Sequence, residues 1–314
     1  MLWFLIFNVM IEFYTLGTSS AVPTGNRSLS ANFLNFQGAK MLFDCGEGCQ
    51  NSLMVNNLGM MGIDKIFISH WHADHFSGLL GLVQTMGMEG RKKPLFIYGP
   101  KGTEKFTKRL LELGYYHRTY NIFAENLEPG SVVEDDDYSV KVFETDHRVP
   151  SVGYAFVEDS KVKVSRAKME EYGLEPCEEI GELKKGNSVE IDGKKFEPED
   201  IVERVPGRKI VYTGDTEFSE KVVQASKKAD LLVHDSTFSH ELREDGRHGH
   251  SSAYEAARVA KKADVDKLVL THFSRRFTND TSELVKEASK EFPEVVAAED
   301  GMKFEITAHR PSSD

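Results

Sequence analysis

Cysteine is scarce, with three in 314 residues. That is too few for a disulfide framework in so long a chain, so a reducing, cytoplasmic setting is expected rather than a secreted one. Long apolar runs are missing as well. No window reaches the ~18 to 20 consecutive apolar residues of a membrane-spanning helix, and no membrane partner is expected. Positive charge is in deficit, with 39 Lys and Arg against 50 Asp and Glu and a formal charge of -11. Proteins that hold nucleic acid by bulk electrostatics carry the opposite sign, so any polyanionic partner must be gripped by local features. The opening MLWFLIFNV lacks the basic start and small-residue cleavage site of a secretory signal. It reads as an N-terminal extension, residues 1–9, ahead of an alternative start at Met10.

What is present is an ordinary globular composition, 40% hydrophobic and 28% charged, which excludes fibrous and low-complexity readings. The length allows two domains or one α/β core with an insertion. IEFYTLG from Ile11, NFLNF from Asn32 and KMLFD from Lys40 predict a hairpin-rich start. Strand, loop and helix then alternate. KIFIS precedes a helix near 76–88, and LFIYG precedes one from about Thr103 to Leu113. The later runs KIVYTG, LLVHD and KLVLTHF each end in polar residues, and open α/β folds build their sites at such strand ends. Residues 154–207 break the pattern. They are rich in Lys, Glu, Gly and Asp and poor in apolar runs, so they read as a solvated excursion from a single domain spanning 10–314.

Chemistry concentrates in Ser69-His70-Trp71-His72-Ala73-Asp74-His75, directly after KIFIS. Three imidazoles and a carboxylate on one loop form a donor set suited to zinc. Extended backbone sends His70 and His72 to one side, while the turn into the next helix aims Asp74 and His75 at a second position. His147, Asp215 and His272 stand near other strand ends. Jointly they complete two spheres: His70, His72 and His147 around one metal, Asp74, His75 and His272 around the other, and Asp215 between. Two metals ~3.5 to 4 Å apart can activate a shared water and polarise a phosphoryl or carbonyl oxygen. Asp44 in FDCGEG and Asp235 in HDSTF follow strands and suit the remote N–H of a ligating imidazole. Cys45, Cys49 and Cys177 lack a fourth partner for a zinc tetrahedron and read as buried or incidental.

The H-x-H-x-D-H run with His, Asp and His at later strand ends resembles the metallo-β-lactamase superfamily. LGTSSAVPTGNR, LFDCGEGCQ, the run His147 to Tyr154, YTGDT, HDSTF, GHSS and THFSRRF narrow the resemblance to ribonuclease Z, the tRNA 3′-processing endonuclease. The match runs from about Met10 to Phe277. The resemblance implies a four-layer αββα sandwich with an inserted arm, two zinc ions per subunit and a homodimer. It further implies hydrolysis of precursor tRNA at the 3′ end of the tRNA body, leaving a 3′-hydroxyl on the tRNA and a 5′-phosphate on the trailer. Asp74 matches the general base. His250 in GHSS matches a histidine that protonates the departing oxygen, with His248 a competitor for the role. The 154–207 excursion matches the tRNA-gripping arm, where Lys161, Lys163, Arg166 and Lys168 form a basic cluster. Arg27, Arg275 and Arg276 are further expected RNA contacts. One departure stands at Pro23 to Ser28, where the family often shows P-x-K-x-R-N. Gly25 and Ser28 replace the Lys and the final Asn, which removes the basis for expecting rejection of CCA-bearing tRNA.

Overall fold

The computed structural model describes residues 10–115, 118–244 and 249–308. The N-terminal extension and His248 lie outside them.

Strands β1 (Ile11–Gly17), β2 (Ala31–Phe36) and β3 (Ala39–Cys45) form the expected antiparallel start. β4 (Ile63–Phe67), β5 (Leu95–Gly99) and β6 (Ile122–Asn126) then add in parallel. β7 (Val132–Glu134), β8 (Tyr138–Glu144) and β9 (Val152–Glu158) open a second sheet. After β10 (Lys161–Val164), β11 (Val189–Ile191), β12 (Lys194–Phe196) and β13 (Val202–Val205) in the excursion, that sheet resumes. Its remaining strands, β14 (Lys209–Tyr212), β15 (Leu231–Asp235), β16 (Leu268–Thr271) and β17 (Val295–Ala297), are mutually parallel. β18 (Met302–Ile306) returns to pair with β1 and completes two seven-stranded sheets.

Side-chain alternation decides what each face buries. On β2 to β4, Leu34, Met41, Phe43 and Phe67 join Tyr154, Phe156 and Tyr212 of the second sheet in one core. Their neighbours Phe33, Leu42 and Ile66 point the other way, against the helices Cys49–Val55 and Leu79–Met88. The helix Ala253–Ala263 covers the second sheet with Ala256, Val259, Ala260 and Ala263. The architecture is the expected four-layer αββα sandwich.

The excursion begins later than its composition suggests. Tyr154 to Val157 belong to β9, because this apolar run is buried between β8 and β14. The separate unit is Glu158–Arg208. It is a folded subdomain rather than a solvated loop, since Met169, Ile180, Leu183, Phe196 and Ile201 form their own core. Its base carries a buried ion pair, Arg208 Nε to Glu158 Oε2 at 2.7 Å. The last helix before β5 is also split differently. Ala73–Phe76 forms one turn and Leu79–Met88 the next helix, with Gly78 packed against the Gly46 backbone where a Cβ would collide.

Candidate metal centre

His70 and His72 lie in the loop after β4, and Asp74 and His75 on the one-turn helix that follows. His147 sits in the loop between β8 and β9, three residues beyond the strand end. Asp215 follows β14, and His272 follows β16 directly. Parallel strands deliver their carboxyl ends to one edge, which is why residues so distant in sequence meet.

Two donor groups result. The first is His70, His72, His147 and Asp215, and the second is Asp74, His75 and His272. Asp215 serves both. Its Oδ2 is 3.6 Å from His70 Nε2, while its Oδ1 is 3.3 Å from both His75 Nε2 and His272 Nε2. Asp74 Oδ2 lies 3.5 Å from His75 Nε2 and 3.3 Å from His272 Nε2. Ligands bound at ~2.1 Å around a tetrahedral ion stand about 3.4 Å apart, so these separations suit atoms aimed at a shared cation. His75 Nε2 and Asp215 Oδ1 are buried without a hydrogen-bond partner, an expense that a metal would remove. The donor set therefore fits a pair of zinc-type ions.

The remote ring nitrogens are anchored. His75 Nδ1 meets Asp44 Oδ2 at 2.7 Å, and the same carboxylate accepts from Ser69 N–H, Ser69 Oγ and Tyr212 Oη. His147 Nδ1 donates to the Gly249 carbonyl at 2.6 Å. His272 Nδ1 meets Thr237 Oγ1 at 2.9 Å, and that hydroxyl donates to Asp235 Oδ1. Asp235 also stands near Asp215, His250 and His272 in a third potential donor group. Its oxygens, however, accept from Thr216 N–H, Thr237 N–H and Thr237 Oγ1, and meet His250 Nδ1 at 2.9 Å, so it braces imidazoles. Asp74 Oδ2 accepts from Ala21 N–H at 2.8 Å. Ser69, Tyr212, Thr237 and Ala21 carry no local sequence signal, because each acts only through a partner brought near by the fold.

Electrostatics divides the imidazoles. Burial, with the neighbouring His75, pushes His70 down, favouring the neutral ligand form. Burial also opposes charge on His272, but Asp215, Asp235 and Asp74 outweigh it and push it up to about 10. His75 is raised for the same reason by Asp215, Asp44 and Asp74. Asp74 and Asp215 are held well below the carboxylate range by these imidazoles despite their own burial. Imidazoles must be deprotonated at the ligating nitrogen to hold a metal, so the same carboxylates that raise His75 and His272 would set proton release against metal binding. His272 adopts a left-handed φ of 63°. Phe273 holds it there, buried and with its N–H donated to Thr18.

His250 stands at the rim, partly open, its Nδ1 held by Asp235 and its ring stacked on His272 at 5.2 Å. Arg275 and Arg276 are exposed on the turn after His272. Arg27, expected at the RNA, is instead buried: its guanidinium donates to Thr18 Oγ1 and Ala298 O and lies over Phe273. It braces the loop from within. Among the arm cations Lys161 pairs with Glu158 and Lys168 donates to Glu199 O, whereas Arg166 is exposed and Lys163 partly so. Cys45 and Cys49 are buried and Cys177 is exposed.

The two sheets, the flanking helices and the paired His/Asp groups define a metallo-β-lactamase-fold protein. Residues 201–273 match the family described as a β-lactamase superfamily domain, and residues 11–171 match that of the anti-Pycsar protein Apyc1. The chain is 47% identical to the ribonuclease Z of Methanosarcina acetivorans over 96% of its own length and all of the relative's. It is 37% identical to that of Methanothermobacter thermautotrophicus over 97% and all of the relative. Human short-form tRNase Z superposes with a TM-score of 0.68 at 30% identity, covering 93% of this chain and 98% of the human one. The chain belongs to the ribonuclease Z family. Among its described residues no helix is long and apolar enough to cross a membrane.

Proposed function

We propose that this chain is a zinc-dependent endoribonuclease that cuts precursor tRNA at the 3′ end of the tRNA body. Its products would be a tRNA with a 3′-hydroxyl and a trailer with a 5′-phosphate. The observation that carries the reading is Asp215, whose two oxygens face two imidazole groups, in a chain similar from end to end to ribonucleases Z. Two bound zinc ions would supply Lewis acidity toward the scissile phosphate and lower the pKa of the attacking water. His70, His72 and His147 would hold one and Asp74, His75 and His272 the other, and Asp215 would serve both.

Asp74, oriented by the Ala21 N–H, takes the proton of the attacking water. His250 gives a proton to the departing 3′ oxygen. Asp235 and Asp215 keep its pKa raised against the effect of burial, which suits an acid working near neutral pH. Arg275 and Arg276, beside His272, meet the RNA backbone. The subdomain Glu158–Arg208 contacts the tRNA body through Lys163 and Arg166 together with Lys161 and Lys168. Homodimerisation is part of the reading. Met54, Val55 and Met88 are exposed on the helices Cys49–Val55 and Leu79–Met88, which are tied together by Gln50 donating to Thr85.

The test uses metal-loaded protein and a 3′-extended pre-tRNA. Asp74→Ala abolishes cleavage while tRNA binding persists, and removal of residues 160–200 abolishes pre-tRNA cleavage while turnover of bis(p-nitrophenyl) phosphate continues. Undiminished pre-tRNA cleavage without the arm refutes the tRNA assignment of that segment. Cleavage of the small diester alone by the intact protein refutes the reading as a whole.

A further inference from the structure

One surface beside the metal centre has no part in the scheme above. Trp71 stands between the ligands His70 and His72, and its indole Nε1 donates to Thr103 Oγ1 at 2.9 Å. Thr103 begins the helix Thr103–Leu111. The indole packs against Phe76 at 5.0 Å and Phe106 at 5.3 Å. Phe106 stays 37% exposed, and Lys105 Nζ lies 5.7 Å from its ring centre. Lys105 and Arg109, one turn apart on this helix, are both exposed. The helix's single carboxylate, Glu104, accepts from the backbone N–H of Asn126. In a chain of net charge -11 this is a local cationic and aromatic surface.

A cleft of about 630 Å³ lies next to the start of this helix, with Lys101, Asn126, Glu128, Pro150 and Ser151 among its lining residues. Ser151 of this lining is bridged by backbone to the ligand His70. Asn126 Oδ1 accepts from Gly102 N–H at the start of the same helix. Cations along a groove with an exposed ring are the two elements that hold single-stranded nucleic acid without sequence preference.

We infer that the cleft at Ser151 and Lys101, continued by Lys105 and Phe106, is the binding track for the single-stranded RNA 3′ of the scissile phosphate. The inference rests on the endoribonuclease reading. Phosphates leaving the metal centre pass Lys101 and Lys105, and a base stacks on Phe106, which Trp71 supports from behind. The face is distinct from the arm cations: it reads the trailer, whereas they meet the tRNA body.

The test compares pre-tRNAs with a one-nucleotide trailer and with a trailer of about eight nucleotides, roughly the footprint of such a site. The metal-loaded full chain is used as wild type, Phe106→Ala, Lys105→Glu and Phe106→Trp. Phe106→Ala and Lys105→Glu each raise KM for the long trailer about ten-fold, in the range measured for one lost stacking contact. They leave kcat, the one-nucleotide substrate and bis(p-nitrophenyl) phosphate unchanged. Phe106→Trp retains wild-type KM. Salt dependence of long-trailer KM becomes shallower for Lys105→Glu, as expected when a phosphate contact is lost. Equal effects on both trailer lengths, or none, overturn the inference. So does a change in sedimentation coefficient without a change in trailer dependence, which would make the face a subunit contact. If wild-type protein cuts no pre-tRNA, the endoribonuclease reading falls and this one with it. Trailer-independent behaviour of the variants defeats only this one.

Discussion

Replacing Asp44 with Asn removes one charge from the bracing network and little else. Asp44 is fully buried with a left-handed φ of 62°, a conformation that Asn also tolerates, so the backbone adds no penalty. Its Oδ2 meets Ser69 Oγ, His75 Nδ1 and Tyr212 Oη at 2.6 to 2.7 Å, and its Oδ1 accepts from Ser69 N–H at 2.6 Å. The best rotamer of Asn keeps its oxygen at the Oδ2 position and sets an amide donor against the Ser69 N–H. Three bonds fall from charged to neutral strength, each losing ~1 kcal/mol, and one buried donor pair is left unsatisfied at ~1 to 3 kcal/mol. The sum is about 4 to 6 kcal/mol. Tyr212→Phe deletes one donor from a carboxylate that keeps three others and costs ~1 to 2 kcal/mol. Urea denaturation of the metal-free proteins measures both. Zinc affinity, read by competition with a chelating dye, falls ~10- to 100-fold for Asp44→Asn, because the His75 imidazole loses the group that orients it. Asp44→Asn stability within 1 kcal/mol of wild type, with unchanged zinc affinity, would refute the bracing role.

Three further outcomes are expected. Glu158 is held down to about 2 by Arg208 and Lys161 against the penalty of burial. Its stabilisation is therefore present above the ordinary value of 4.5 and lost as pH falls toward 2. Glu158→Gln should cost on the order of 3 kcal/mol at pH 7, a difference that shrinks in urea titrations below about pH 4.5. Gly249→Ala places a methyl 3.0 Å from His147 Nδ1 at a φ of +92°. It should displace the carbonyl that holds this ligand and lower zinc affinity about ten-fold by the same dye competition. Ser252→Ala removes one half of the capping box with Glu255 on the helix Ala253–Ala263. It should cost about 1 kcal/mol, visible as a fall in thermal midpoint.

Much of the site was legible because its chemistry sits at strand ends. His70 to His75 announce themselves by density, and His147, Asp215 and His272 by following apolar runs. Strand starts such as Ile11 and Leu95 were readable from β-branched and aromatic periodicity. The supporting shell was not. Tyr212 reads as a core aromatic, Ser69 as a strand-end hydroxyl and Ala21 as a loop residue, and each becomes functional only through a carboxylate 25 to 168 positions away. Arg27 misleads in the other direction, since a loop arginine gives no local sign that Phe273 and Ala298 will enclose it. The arm's core was hidden because Met169, Ile180, Leu183, Phe196 and Ile201 occur singly among charged residues. Its start was misplaced because Tyr154 to Val157 continue an apolar strand without any local stop signal.

The central claim is tested most directly by mapping both ends produced when zinc-loaded protein meets a 3′-extended pre-tRNA. The account predicts one cut at the 3′ end of the tRNA body, a 3′-hydroxyl on the tRNA and a 5′-phosphate on the trailer. A cyclic or 3′-phosphate end on the tRNA, or cuts scattered along it, would contradict the account.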